Sequence, residues 1–167
     1  MYDELTKVDI EKMRQELEHR RLVLRPKLIE DVQVARAFGD LSENFEYKCA
    51  KRDKNRNESR IRYLERMIAT AKVIDVKEEA GTVGLFSHVT LFNEKLGKEQ
   101  RIQIVTTLRQ NALKGYISKE SPVGAALLGR RVGERVEITV SPEMKYTVEI
   151  RAVEPGEDDA SLDISSY

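Results

Sequence analysis

From residue 9 to residue 37, apolar side chains recur at Ile10, Met13, Leu17, Leu24, Leu28, Val32 and Ala35. From 44 to 73 a second seam runs Ala50, Lys54, Asn57, Ile61, Leu64, Ile68, Ala71. Steps of three and four are the spacing of a helix that buries one stripe against another helix. Only Phe38-Gly39-Asp40-Leu41-Ser42-Glu43 separates the two runs. A link that short forces the helices antiparallel. At 1.5 Å per residue, a helix of about 28 residues extends roughly 40 Å. The first half is therefore constrained to a coiled-coil hairpin that holds one small loop far from its base. Lys54 and Asn57 weaken packing at the seam but help to fix its register. Pro26, inside the first run, removes one backbone hydrogen bond and bends the helix there.

The period then changes. Val89–Phe92 and Arg101–Val105 read as strands around the turn-rich segment 93–98, and Arg135–Val140 and Thr147–Val153 alternate about the turn Ser141-Pro142-Glu143. Val123–Leu128 reads as a short helix with Ser121 at the N-cap, Pro122 at the first position and Gly129 just past the end. The chain is thus α+β: a helical hairpin over 1–74 with its tip at 39–44, a small antiparallel sheet domain with a short helix over 75–155, and an acidic tail over 156–167. The tail, with no basic residue after Glu154, is expected to be loose.

Composition excludes several classes. No apolar run approaches the roughly 20 residues of a membrane span. The start, Met-Tyr-Asp-Glu-Leu, has neither the basic nor the apolar region of a signal peptide. Cys49 alone can form neither an internal disulfide nor a Cys-rich zinc cluster, and a reducing cytoplasm is the expected compartment. Lys plus Arg equals Asp plus Glu at 29 each, so only the distribution of charge is informative. Within 48–66, Lys48, Lys51, Arg52, Lys54, Arg56, Arg60, Arg62 and Arg66 outnumber Asp53, Glu58 and Glu65. That excess can attract phosphate, although a solvated helix face also explains it. The glycines of Gly124–Gly129 have P-loop spacing but lack the Lys-Ser/Thr pair that contacts phosphate and Mg²⁺. His19 and His88 have no partner at ligand spacing, Cys49 has no local base, and no Gly-x-Ser-x-Gly occurs.

The hairpin tip remains. Asp40 or Ser42 can cap the second helix, and Asp40 with Glu43 has the spacing of a capping box. The same two carboxylates, at the end of a shaft lined with basic residues, can also bind a hard divalent cation that prefers oxygen ligands. Two ligands hold Mg²⁺ weakly, so such a site would need completing by whatever the hairpin reaches into.

Gly39-Asp40-Leu41-Ser42-Glu43-Asn44 with Glu46-Tyr47, followed later by Ile117-Ser118, Ser121-Pro122, Gly124, Ala126-Leu127-Leu128-Gly129, Gly133 and Val136, resembles the bacterial transcript cleavage factors of the GreA/GreB family. The resemblance covers most of residues 5–154. It implies an FKBP-like fold for the second domain and a factor that is not an enzyme by itself. The second domain would dock on bacterial RNA polymerase beside its secondary channel, and the coiled coil would bring the tip to the active site. There Asp40 and Glu43 would help to hold the second catalytic Mg²⁺ and position water, so that the extruded 3′ end of backtracked nascent RNA is cleaved.

Further residues carry over by the same resemblance. Ser42 and Asn44 would shape the tip and Tyr47 would pack beneath it. Arg36, Lys51, Arg52 and Arg56 would form the RNA-contacting basic patch, and Lys54, Arg56 and Arg60 are more like the GreB branch. Ser121 and Pro122 would belong to the polymerase-docking surface, although a helix cap explains them equally. A monomer is expected by analogy, with no membrane partner. The chain departs from the family at Thr106–Lys114, which replaces a commonly acidic stretch, in its longer acidic tail, and at Phe45, often an alanine. Two other readings compete: a channel-binding inhibitor of the same superfamily, whose known members change the tip, and a structural coiled-coil adaptor whose acidic tip is only a cap.

Overall fold

The computed structural model describes residues 3–39, 43–76 and 79–165. The chain divides into two units, one of Met1–Asp3 with Ile10–Ala71 and one of Glu4–Asp9 with Lys72–Tyr167. The boundary differs from the expected break near residue 74, because the segment Glu4–Asp9 belongs with the second half.

The elements run β1 (Glu4–Leu5), α1 (Lys7–His19), a π-helical turn (Arg20–Leu24), α2 (Arg25–Arg36), α3 (Phe45–Thr70) and β2 (Lys72–Val73). They continue with β3 (His88–Asn93), β4 (Lys98–Val105), two 3-10 turns (Thr107–Arg109 and Ala112–Lys114), β5 (Tyr116–Ser118), α4 (Pro122–Leu127), β6 (Arg135–Ser141) and β7 (Met144–Glu154).

In the first unit, the predicted seams are the buried ones: Met13, Leu17, Val32 and Ala35 on one side, Ile61 and Leu64 on the other. Cross-helix pairs run in opposite senses along the chain, Ala35 with Asn44, Arg25 with Glu58 and Glu16 with Arg60, as an antiparallel hairpin requires. Pro26 sits in the first turn of α2, directly after the π turn, where the Arg25 N–H bonds back to the Arg20 carbonyl. A proline in a helix interior lacks a donor and crowds the carbonyl four residues back. The wider turn places it at a helix start instead, where its missing N–H is tolerated.

The polar seam position is satisfied rather than empty. Asn57, almost fully buried, accepts from the Arg20 guanidinium at 2.9 Å and donates to the Arg20 carbonyl at 3.3 Å. Glu16 bridges Arg20 at 2.7 Å and Arg60 at 2.8 Å. Burial pushes the Glu16 carboxyl up, but hydrogen bonds from Arg60 and Arg20 outweigh it and hold the group below its ordinary value. A one-turn slip of the hairpin would leave these groups buried without partners, so the network specifies register.

The second unit holds a five-stranded sheet in the order β5-β4-β3-β7-β6. Its pairs are antiparallel except β4 with β5. Val89, Leu91, Ile102, Ile104, Ile138, Val148 and Ile150 form its core with Leu127 of α4. The Ser121 hydroxyl accepts from the Gly124 N–H at 3.0 Å and donates to the Ser118 carbonyl at 2.7 Å. A side chain at Gly124 would meet that carbonyl at 2.1 Å, so glycine is required for α4 to lie this close to β5. Of the two glycines with P-loop spacing, Gly124 thus serves packing, and Gly129 takes a left-handed conformation just past α4.

A two-stranded parallel pair, Glu4 with Lys72 and Leu5 with Val73, lies outside the main sheet. Beside it, Thr6 and Asp9 cap α1 reciprocally: the Asp9 carboxylate accepts from the Thr6 N–H at 3.1 Å and the Thr6 hydroxyl accepts from the Asp9 N–H at 3.3 Å. Arg109, from the first 3-10 turn, is fully buried against this cap. It donates to Asp9 at 2.5 Å and to the Thr6 hydroxyl at 3.2 Å, and its guanidinium lies 5.2 Å from the Phe86 ring centroid.

The segment expected as a loose tail closes the same cluster. Asp158 pairs with Arg109, the Asp159 carbonyl accepts from Arg109 at 3.1 Å, and the Ser165 N–H donates to the Leu108 carbonyl at 2.6 Å. Gly156 lets the chain pass so near the Phe86 carbonyl that a side chain there would meet it at 1.8 Å. Composition predicted looseness because the acidic run has no local partner. Its partner Arg109 lies some fifty residues earlier in the chain.

Candidate functional site

Asp40, Leu41 and Ser42 lie outside the described residues, so the tip is built here from its two flanks. On the first flank, α2 ends at Arg36 and the Phe38 N–H closes a last turn onto the Ala35 carbonyl at 3.2 Å. Gly39 follows at φ 131°, a conformation that L side chains rarely adopt. On the second flank, Glu43 is exposed and immediately precedes the cap of α3.

That cap is Asn44, not Asp40 or Ser42. Its extended backbone lets Oδ1 accept from the Tyr47 N–H at 3.0 Å, while Nδ2 donates to the Ala35 carbonyl at 2.7 Å. One amide thus satisfies a free donor at the start of α3 and a carbonyl at the end of α2, tying the two flanks together. An aspartate could do the first but not the second.

Tyr47 is half-buried, with the Arg36 guanidinium 5.5 Å from its ring centroid. That guanidinium, followed by the charges of Lys51 and Lys54, holds the phenol below its ordinary value against the opposing effect of desolvation. Arg36, Lys51, Arg52 and Arg56 are all exposed. Lys48, Lys51 and Arg52 stand at i, i+3 and i+4, which places them on one face of α3. Arg60, grouped by sequence with these cations, is instead buried on Glu16 and belongs to the hairpin interior. Ser121 spends both directions of its hydroxyl on the α4 cap, and Pro122 next to it is exposed.

Among the described residues, no group of three or more His, Cys, Asp or Glu could hold a metal ion. The described part of the tip supplies one exposed carboxylate, Glu43, a hard oxygen donor of the kind Mg²⁺ takes. Such a donor set suits an ion whose other ligands come from elsewhere.

Two features here had no counterpart in the sequence reading. Asn44 is expected to shape the tip, but not to bridge its flanks; an Asn before a helical run is a cap candidate by type, as Asp40 and Ser42 also are. Phe38, unremarked in the sequence, is 70% exposed, and Phe45 is 77% exposed.

Residues 4–73 match the family model described as "Transcription elongation factor, N-terminal", and residues 77–155 match "Transcription elongation factor, GreA/GreB, C-term". The chain is 41% identical over 150 residues to the transcription elongation factor GreA of Geobacillus kaustophilus, covering 89% of this chain and 94% of the relative. It is 44% identical over 140 residues to GreA of Rhodopseudomonas palustris strain TIE-1, covering 83% of this chain and 88% of the relative. The crystal structure of the GreA factor homolog 1 (Gfh1) protein of Thermus thermophilus is 30% identical, with a TM-score of 0.42 and coverage of 93% of this chain and 100% of that one. Both halves of the molecule, the helical hairpin and the sheet unit, thus fall to adjoining models of one family, and the chain belongs to the GreA/GreB family of transcription elongation factors.

Proposed function

We propose that this chain stimulates cleavage of backtracked nascent RNA by bacterial RNA polymerase, acting as a monomer in the cytoplasm and not as a catalyst by itself. The observation that carries the reading is the exposed Glu43 carboxylate, standing just outside a cap that braces both flanks of the hairpin end, with cations behind it on α3. Asp40 and Glu43 would hold an Mg²⁺ ion whose remaining ligands polymerase supplies. When bound, such an ion lowers the pKa of water and stabilises charge on a phosphoryl oxygen.

The chain's own residues have separable tasks. Asn44 fixes where the Glu43 backbone leaves α3 and so where its carboxylate can accept a hydrogen bond from water. Arg36, Lys51, Arg52 and Arg56 draw the phosphates of the extruded RNA 3′ end toward the tip. Tyr47 keeps Arg36 against the hairpin. Ser42 would complete the tip, and Ser121 and Pro122 would lie at the polymerase-docking surface.

The test is RNA cleavage in a stalled, backtracked elongation complex with Mg²⁺, comparing the wild type with Asp40→Asn/Glu43→Gln. The wild type should accelerate cleavage, and the variant should bind but leave only the intrinsic rate. A wild type that binds and suppresses intrinsic cleavage, or a variant as active as the wild type, refutes the proposal.

A further inference from the structure

Phe45 occupies the first position of α3 and Phe38 lies just beyond α2, one on each side of the tip in sequence. They are 77% and 70% exposed, the most exposed large apolar residues among the described residues of the first unit. Neither side chain is buried in the hairpin or makes the cap. Asn44 makes the cap, and a hydrophobic staple would need apolar residues at Glu43 and Lys48, where both are charged. The position of Phe45 is moreover one that suits a small residue equally well for capping.

The surroundings select among occupants. Glu43, Glu46 and Lys48 beside Phe45 are exposed and charged, so the ring is not part of the contiguous apolar patch that marks a protein-docking surface. Down the helix, Phe45, Lys48 and Arg52 follow at i, i+3 and i+7, an aromatic ring continued by cations along one stripe. On the other flank, Arg36 stands two residues before Phe38. Single-stranded nucleic acid is held by this combination: exposed rings take the faces of bases and cations follow the backbone.

We infer that Phe38 and Phe45 are stacking platforms for the bases of the extruded RNA 3′ segment. The inference rests on the proposed function and adds to it a contact with bases, beside the phosphate contacts of the basic face. It makes cleavage depend on whether the extruded nucleotides carry bases at all, and not only on their charge.

The experiment uses the full chain and backtracked complexes assembled with synthetic RNA, whose extruded nucleotides are either normal or abasic. Half-saturating factor concentration and cleavage rate at saturation are measured for the wild type, Phe38→Ala, Phe45→Ala and Phe45→Tyr, with thermal melts to confirm folding. On normal RNA, Phe45→Ala should lose about five-fold or more in efficiency, Phe38→Ala should lose in the same direction, and Phe45→Tyr should be near wild type. On abasic RNA, the wild type and the alanine variants should converge. Equal losses on both RNAs would assign the rings to a contact with polymerase and overturn the inference. So would alanine variants that match an active wild type on normal RNA, leaving the proposed function standing. A wild type that accelerates no cleavage would overturn the proposed function, and the inference with it.

Discussion

Arg109→Met should strongly destabilise the sheet unit. The Arg109 and Asp9 side chains have no solvent exposure, and Asp158 on the other side is only 17% exposed. Methionine fills much of the same volume but supplies no donor. Asp9 keeps its bonds from the Thr6 backbone and hydroxyl, yet loses its counter-charge, and the bond from Arg109 to the Asp159 carbonyl is lost. Removing one partner of a buried ion pair costs about 3–5 kcal/mol, because the remaining charge stays desolvated and uncompensated. At a slope of about 2 kcal/mol per molar urea, the unfolding midpoint should fall by about 2 M. Far-UV circular dichroism through a urea titration reads this directly. Asp158→Asn should cost less, since that carboxylate reaches water. The double variant should cost less than the sum of the two, by about 0.5–3 kcal/mol, because the residues share one interaction. A midpoint shift below about 0.5 M for Arg109→Met, or strict additivity with Asp158→Asn, would refute a buried pair that ties residues 156–165 to the sheet unit.

Two further outcomes follow from the hairpin. Asn44→Ala should lose about 1–2 kcal/mol from the cap and the cross-helix bond together, whereas Asn44→Asp should recover the cap alone; thermal denaturation of the three proteins separates the contributions. Glu16 is held below its ordinary carboxyl value of 4.5, so the stability it contributes is fully present above that value and is lost as pH falls through its lower folded value. The stability gap between the wild type and Glu16→Gln should therefore be widest near neutral pH and shrink below about pH 4.5 in denaturation curves; a gap independent of pH would remove Glu16 from the register network.

The hairpin was legible in the sequence because its information is periodic. Met13, Leu17, Val32, Ala35, Ile61 and Leu64 declare a buried stripe by spacing alone, and the alternation of Arg135–Val140 does the same for a strand. Ser121-Pro122 before Val123, with Gly129 after, gave the short helix by local chemistry. What stayed hidden depends on partners distant in the chain. Two-residue strands such as Glu4–Leu5 and Lys72–Val73 carry no period, and pair only with each other. Arg109 reads as one polar residue in a polar segment until Asp9 and Asp158 arrive from a hundred residues before it and fifty after. At the tip, Asp40, Ser42 and Asn44 are all good caps by type. Only the backbone decides, since the helix begins at Phe45 and Asn44 directly precedes it. The placement of Glu43, Tyr47 and the exposed cations beside the hairpin end was legible, while the exposure of Phe38 follows from the point at which α2 stops.

The π turn at Arg20–Leu24 bears on how such a hairpin can change length over evolutionary time. Every residue inserted into a regular α-helix rotates all that follows by about 100° and advances it by about 1.5 Å. In a paired helix, that turns the whole distal seam away from its neighbour. A π turn holds an additional residue as a local bulge, and buried seam positions lie on both sides of this one, Leu17 before it and Val32 after. A residue gained or lost at this turn would therefore leave both seams facing the partner helix, and Pro26, just past it, disfavours ordinary helix across the same stretch.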